Sequence, residues 1–530
     1  MEKEEKIVSL AKPVKKGILR LIFSRFFLIA VLLVLQVALV AIVYLRFAEK
    51  MPILFYAQWI FDFVMIIYLF NTNMDSSAKL TWMLVMSFLP IVGAVLLWWT
   101  QANVGHRLEA RRVKAQVDKT RSALIQDEHV INEIEHDGSG TDDISRYLNH
   151  TGCFPVYNNT AVKYFPLGEL KFEAMLEELE KAEKYIFMEY FIVEEGYMWG
   201  RILDALIRKA EAGVEVRVMY DGMCEISTLP PDYFKLLKAK GIHAKAFSPI
   251  KPIVSSHYNY RDHRKILVID GKVAFNGGVN LADEYINRKE RFGHWKDTAV
   301  MLKGPAVRSF TLMFLQMWNL GSEAGDNRDY EKWLSLPEVR DESANGYVIP
   351  YCDSPLDEYK AGEAVYMDVL YRATDYVHIM TPYLILDGEL ETALCFAAQR
   401  GVDVRLILPG IPDKKVAFAL AKTHYKLLHD AGVKIYEYDP GFIHAKMFIS
   451  DDVKAIVGTI NLDYRSLYHH FECATYMYKT DCISEIERDF QDTLAKCREV
   501  TDESIKNETF SYKLTGRLAK MISQIGRAHV

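Results

Sequence analysis

Cysteine is scarce in this 530-residue chain and follows no pattern: the seven residues Cys153, Cys224, Cys352, Cys395, Cys473, Cys482 and Cys497 are odd in number and include no C-x-x-C pair. That excludes a small disulfide-stapled domain and a cysteine-built zinc site, and it favours a reduced compartment. An excess of positive charge is missing too, since the formal net charge is -6. No nucleic acid partner is expected, because a polyanion binder shows a basic stripe interleaved with aromatic residues. The adjacent His469 and His470 have no cysteine or carboxylate pattern of ligand spacing around them. They favour a site-lining or surface role, and no metal is expected.

The first hundred residues supply apolar length. Phe26 to Leu45 is a run of twenty residues with only Gln36 strongly polar, long enough to cross a bilayer. No small-residue cleavage site follows it in signal-peptide style, so it is expected to stay in the mature protein. Leu80 to Thr100 is a second such run, with Trp82, Trp98 and Trp99 near its ends as interfacial anchors. Met51 to Phe70 is apolar but carries Gln58 and Asp62, and reads as re-entrant or interfacial. Seven Lys or Arg precede Phe26 and six lie from Gln101 to Arg121. The positive-inside rule places both flanks in the cytoplasm, which two crossings satisfy. The expectation is a multi-pass cell-membrane protein whose larger part faces the cytoplasm. After the anchor, Gly105 to Asn149 is polar, and its Asp137 to Asp143 stretch reads as a flexible joint.

The rest of the chain is dominated by one eighteen-residue pattern that occurs twice, His-x-Lys-x4-Asp-x6-Gly-x2-Asn: His263, Lys265, Asp270, Gly277, Asn280, and again His444, Lys446, Asp451, Gly458, Asn461. One copy would be a weak signal; two with every offset kept are not coincidence. The repeat extends outward. Tyr185 to Met188 answers to Tyr376 to Ile379, and Gly213 to Val218 answers to Gly401 to Leu406. The offset is 191 residues at Phe234 and Tyr425 and 181 at the histidines, because the first copy holds an insertion at Lys251 to Tyr260. A duplicated domain behaves this way. Within each copy, a β-branched and aromatic run, a helical stretch such as Arg201 to Glu211 and another apolar run give βαβ grammar, hence an α/β fold with a parallel or mixed sheet between helices. His and Lys two apart on a strand share one face. Gly277 and Gly458 are expected to let the backbone approach a ligand.

The paired motifs resemble the HKD signature of the phospholipase D superfamily, from about Thr151 to Val500. Gly277 to Tyr285, Trp295-Lys-Asp297, Thr381-Pro-Tyr383 and Asn461 to Ser466 followed by Phe471-Glu472 resemble bacterial cardiolipin synthases in particular. The resemblance implies N-terminal transmembrane helices followed by two tandem phospholipase D-like α/β sandwich domains sharing one active site. The expected layout is an anchor at 1–104, a charged helix and linker at 105–150, domains at 151–335 and 336–510, and a tail at 511–530. It implies phosphatidylglycerol as substrate, the lipid bilayer as partner, no cofactor, and transfer of a phosphatidyl group through a phosphohistidine.

The residue types suit that chemistry on their own account. Displacement at a phosphodiester needs a nucleophile, a proton donor for the leaving alkoxide and cations around the non-bridging oxygens. His263 is assigned as nucleophile and His444 as acid and base, an order the near symmetry leaves open. Lys265, Lys446, Asn280 and Asn461 would hold the phosphate oxygens, and Asp297 and Glu472, each downstream of its own motif, would orient the imidazoles. Asp270 and Asp451 belong to the signature's catalytic set, although their place at strand ends favours a turn-holding role. Glu189 and Tyr383 are pocket residues by family analogy. The alternatives are a phospholipase D that admits water, a transferase with another acceptor, and an inactive membrane scaffold. The chain closes with Ile525 to Val530, six residues that a common sequencing adaptor also encodes in one frame, where the resemblance implies an Arg/Leu-rich stretch ending Pro-Leu-Leu. They are expected to be non-native, which the source DNA beyond codon 524 settles.

Overall fold

The computed structural model describes residues 7–11, 51–72, 76–88, 104–249, 260–320 and 329–527, with isolated positions among the first hundred. The apolar runs of the first repeat become β1 (Ala161–Phe165), β2 (Tyr185–Tyr190), β3 (Glu215–Asp221), β4 (His243–Phe247), β5 (Arg261–Asp262), β6 (Lys265–Ile269), β7 (Val273–Gly277), β8 (His294–Lys296) and β9 (Ala299–Lys303). Those of the second become β10 (Tyr347–Asp353), β11 (Tyr376–Met380), β12 (Asp403–Pro409), β13 (Lys434–Tyr438), β14 (Gly441–Ile443), β15 (Met447–Ser450), β16 (Lys454–Gly458), β17 (His470–Tyr478) and β18 (Cys497–Glu499).

The first sheet runs β1-β9-β7-β6-β2-β3-β4 and the second β10-β17-β16-β15-β11-β12-β13-β18. Both are mixed. β2 and β3 pair in parallel across the helix Tyr197–Glu211, as β11 and β12 do across Gly388–Gln399, which is the βαβ unit read from the sequence. The motif strands β6 and β15 add on antiparallel. On β2 the side chains alternate between two cores: Tyr185 and Phe187 join a cluster that continues through Ile379 and Phe448 of the second half, while Ile186, Met188 and Tyr190 pack with Ile202 and Leu206. A strand covered on both faces needs no polar alternation, which is why β2 reads as an apolar run broken only by Glu189.

Two short strands leave their own half. β5 pairs in parallel with β17, and β8 pairs in parallel with β14. These reciprocal ladders position the site.

The motif aspartates do not reach it. Asp270 and Asp451 stand in left-handed turns at φ 56° and 55°. Asp270 accepts from the backbone N–H groups of Glu183, Lys184 and Tyr185 at 2.7 to 2.8 Å. Asp451 does the same for Thr374, Asp375 and Tyr376 at 2.8 to 3.0 Å. Each pins the entry of the neighbouring strand, so their placement in the catalytic set is corrected to a structural one. Asp270→Ala is expected to destabilise the fold by about 3 kcal/mol through three orphaned N–H groups, lowering the melting temperature while turnover per folded molecule stays within a few-fold.

The two motif glycines are corrected likewise. A Cβ on Gly277 would lie 2.5 Å from Ala299 Cα, and one on Gly458 would lie 2.3 Å from Ala474 Cβ. Their missing side chains make room for the neighbouring strand rather than for a ligand.

The expected flexible joint is also held in place. The helices Glu128–Glu135 and Thr141–Gly152 pack Val130, Ile131, Ile134, Ile144 and Leu148 into the main core. Between them Asp137 accepts from Tyr478 Oη at 2.6 Å and Lys479 Nζ at 3.0 Å, and Asp143 pairs with Arg372 at 2.7 Å.

The described residues between 15 and 108, with 517–527, form a separate unit. In it the helices Met51–Phe70 and Ser76–Phe88 pack through Leu69, Ala78, Trp82 and Met86, and Tyr56, Trp59, Ile60 and Phe63 are exposed. Among the described residues no helix is long and apolar enough to cross a membrane. The expected span Phe26 to Leu45 lies outside the described residues except for one position, and Leu80 to Thr100 is described continuously only as far as Phe88.

Candidate active site

Each motif histidine follows a short strand that is paired with one of the other half. Past β5, the His263 N–H donates to Phe471 O at 2.9 Å, and past β14 the His444 N–H donates to Lys296 O at 2.7 Å. The next residue on each partner strand is a carboxylate. His263 Nδ1 therefore lies 2.9 Å from both oxygens of Glu472, and His444 Nδ1 lies 2.6 Å from Asp297 Oδ2. The sequence places each carboxylate after its own motif; the structure gives it to the histidine of the other. The ladder register fixes the pairing, whatever the spacing along the chain.

The carboxylates are themselves held. Glu472 accepts from the Thr459 hydroxyl. Asp297 Oδ1 accepts from Thr298 N at 2.8 Å and sits where a Cβ on Gly278 would meet it at 2.1 Å. Gly278 and Thr459 occupy equivalent places in the repeat, so one position makes way for Asp297 and the other bonds Glu472.

Lys265 and Lys446, two residues beyond their histidines, are fully buried and donate Nζ to the carbonyl of His263 and His444 respectively. Among the described residues neither has a carboxylate within ion-pair distance. Burial pushes Lys265 down to about 8 and Lys446 down to about 7. Burial also pushes His263 well below the usual imidazole range, and Lys265, His470, Lys446 and His444 act on it in the same direction. His444 is pushed down to about 4 by burial and by Lys446, against Asp297. Both motifs thus converge on one centre whose two lysines, among the described residues, make no direct ion pair with the orienting carboxylates. An anion bound there raises these groups again. Binding of tungstate at pH 8 is expected to take up about one proton, read from the buffer dependence of the binding heat in calorimetry.

The remaining expected residues divide. Asn280 is engaged, with Oδ1 accepting from Ile192 N at 3.0 Å and Nδ2 donating to Tyr285 Oη at 2.8 Å. Asn461 keeps a buried Oδ1 with no hydrogen-bond partner. Glu189 is bound to Arg264, whose Nε donates to it at 2.7 Å and lies 3.5 Å from Asp262. The equivalents of Glu189, Asp262 and Arg264 in the second copy are Met380, Ile443 and Ala445. A buried ionic triad in one half thus stands where the other is apolar. The Tyr383 hydroxyl donates to Asp413 at 2.6 Å and accepts from Lys414 at 2.7 Å.

A profile of the cardiolipin synthase, phospholipase D-like domain matches residues 175–318 and 366–494. The chain belongs to this cardiolipin synthase family. It is 32% identical to the cardiolipin synthase of Alkalihalophilus pseudofirmus over 87% of this chain and 91% of that protein. It is 57% identical to an uncharacterized protein of Streptococcus mutans serotype c over 87% of this chain and 99% of that one. The solved phosphatidylserine synthase of Haemophilus influenzae Rd KW20 covers 72% of this chain and 99% of its own, with a TM-score of 0.54 at 14% identity, which is a likeness of fold. The chain is thereby a phospholipase D-type phosphatidyltransferase with two tandem mixed α/β domains.

One group in this site, Lys171, escaped the sequence reading, and His470, expected in a site-lining or surface role, is placed in it. Lys171 is buried in the helix Gly168–Glu180, donates to Val279 O at 3.3 Å, and is pushed by burial down to about 7. Its one sequence signal is a lysine on the apolar stripe of Phe172, Met175 and Leu179. His470 lies beside His263, with ring centroids 5.2 Å apart. Ligand atoms of His263, His470 and Glu472 fall within 4.8 Å of one another, close enough to share a metal ion. The positive neighbours Lys265, Arg465 and Arg261 act on the same imidazole and make the spot better suited to an anion or a neutral polar group.

Proposed function

We propose that the chain transfers the phosphatidyl group of one phosphatidylglycerol to the terminal hydroxyl of another, giving cardiolipin and glycerol. Binding of the anionic phosphodiester raises the His444 imidazole so that it takes up a proton; His263 then attacks phosphorus through Nε2, and the P–O bond to glycerol breaks as His444 gives that proton to the leaving oxygen. The hydroxyl of the second phosphatidylglycerol then gives its proton to His444 and attacks phosphorus, releasing His263. The near symmetry admits the reverse order of the two histidines. Lys265 and Lys446, with Asn461, take the non-bridging oxygens, whose charge builds in each transition state. One phosphodiester replaces another, so no nucleotide is consumed. The apolar N-terminal runs keep the enzyme at the cell membrane, where both lipids are concentrated.

The observation that supports this most is the pair of buried histidines, each oriented by a carboxylate of the opposite half and flanked by a lysine that has no ion pair among the described residues. Two equivalent imidazoles suit a reaction whose two steps mirror each other. The test is reconstitution of the full chain with acyl-labelled phosphatidylglycerol and separation of the products. Cardiolipin with an equal amount of glycerol is expected. Phosphatidic acid as sole product makes water the acceptor and the chain a hydrolase, and absence of turnover overturns the reading.

A further inference from the structure

The two halves differ at one place that faces the chemistry. Two residues before each orienting carboxylate, on the same face of the strand, stand Trp295 and His470. Trp295 lies 5.4 Å from the His444 ring, which is further walled by Tyr285 at 5.2 Å and Phe442 at 5.8 Å. His470 lies 5.2 Å from the His263 ring, with Phe191 as the other neighbour at 4.8 Å. One side of the centre is an aromatic wall and the other carries a hydrogen-bonding ring.

His470 Nδ1 is buried and, among the described residues, has no hydrogen-bond partner. Glu472 Oε1 is 3.5 Å away and already engaged by His263, while Thr459 donates to the other carboxylate oxygen. A buried polar atom left unpaired is costly, and native structures keep one chiefly where a ligand or water completes it. Burial and the cations Arg465, Lys265 and Arg261 push His470 well below the usual imidazole range, so the ring is neutral at pH 7 and can donate at one nitrogen and accept at the other. A neutral donor-acceptor suits a hydroxyl and not a phosphate.

We propose that His470 forms the polyol subsite, binding the hydroxyl-bearing glycerol headgroup of the leaving and incoming alcohols. Since the alcohol lies opposite the nucleophile in an in-line displacement, this subsite selects the reverse order, with His444 attacking phosphorus and His263 carrying the proton. The proposal rests on the cardiolipin synthase reading. Sites built to hydrogen-bond a hydroxyl discriminate strongly against analogues that lack it, whereas an aromatic wall does not. The Trp295 side then meets the glycerol backbone of the lipid that carries the transferred phosphate.

The test is the reverse reaction, cardiolipin plus free glycerol giving two phosphatidylglycerols, because glycerol can be varied independently of the lipid. In the full chain, His470→Phe is expected to raise KM for glycerol at least about tenfold, as loss of one buried hydrogen bond requires, while kcat at saturating glycerol falls less than threefold. His470→Asn, which keeps a donor and an acceptor, is expected to recover most of the affinity. An unchanged KM for glycerol in His470→Phe overturns the proposal. So does an equal loss of kcat in the Phe and Asn variants, since that marks His470 as a support for Glu472. Failure of the wild-type protein to react with glycerol removes the cardiolipin synthase reading itself, a separate result.

Discussion

His263→Asn and His444→Asn are each expected to lower cardiolipin formation by at least about 10⁴-fold. The two imidazoles act as one unit: without the nucleophile no covalent intermediate forms, and without its partner the glycerol oxygen leaves as an unprotonated alkoxide. The double variant is therefore expected to be no slower than either single one, because effects within such a unit do not add. Both histidines fold neutral and buried, so asparagine introduces no charge. The melting temperature and lipid association are expected to hold, which separates loss of chemistry from loss of fold. A variant that keeps a tenth of the wild-type rate with labelled phosphatidylglycerol removes that histidine from the mechanism. Retention by both would return the chain to the scaffold reading.

The second large effect tests the crosswise pairing. Asp297→Asn and Glu472→Gln are each expected to reduce turnover by about 10²- to 10⁴-fold, since an amide in place of the orienting carboxylate favours the wrong tautomer and no longer stabilises an imidazolium. The diagnostic reading is spectroscopic. In histidine-labelled protein, Glu472→Gln is expected to move the ring resonances of His263 and leave those of His444, and Asp297→Asn is expected to do the opposite. The ladder geometry rests on the 2.9 Å and 2.6 Å contacts between halves. Perturbation of the histidine in the same half by each variant would overturn it.

The doubled motif, the βαβ units and the mixed sheets were legible because local periodicity and repetition encode them. The partnership of each carboxylate was not. It depends on β5 and β8 joining strands of the other half, and a two- or three-residue strand has no periodicity of its own to read. Gly277 and Gly458 misled for a related reason: a glycine beside a motif looks the same whether a ligand or the next strand occupies the space, and only the positions of Ala299 and Ala474 decide. Asp270 and Asp451 were conspicuous through their fixed offset, which the three backbone N–H groups each one accepts are enough to require. The Asp137 to Asp143 stretch has the composition of a linker, yet Tyr478 and Lys479, more than three hundred residues away, hold it still. Lys171 lies outside any repeated pattern, so its convergence on the site is visible only in three dimensions, and the sequence left His470 between a site-lining and a surface role.

The reciprocal exchange of β5 and β8 also bears on descent. A single repeat owns a histidine without its carboxylate and a carboxylate without its histidine, so selection for turnover had nothing to act on until two copies met face to face. A symmetric pair of identical single repeats would meet the same geometric requirement, each completing the other. Fusion then relieved every position of the need to be its own complement. The triad of Asp262, Arg264 and Glu189 against Ile443, Ala445 and Met380, and His470 against Trp295, are the record of what each copy did with that freedom.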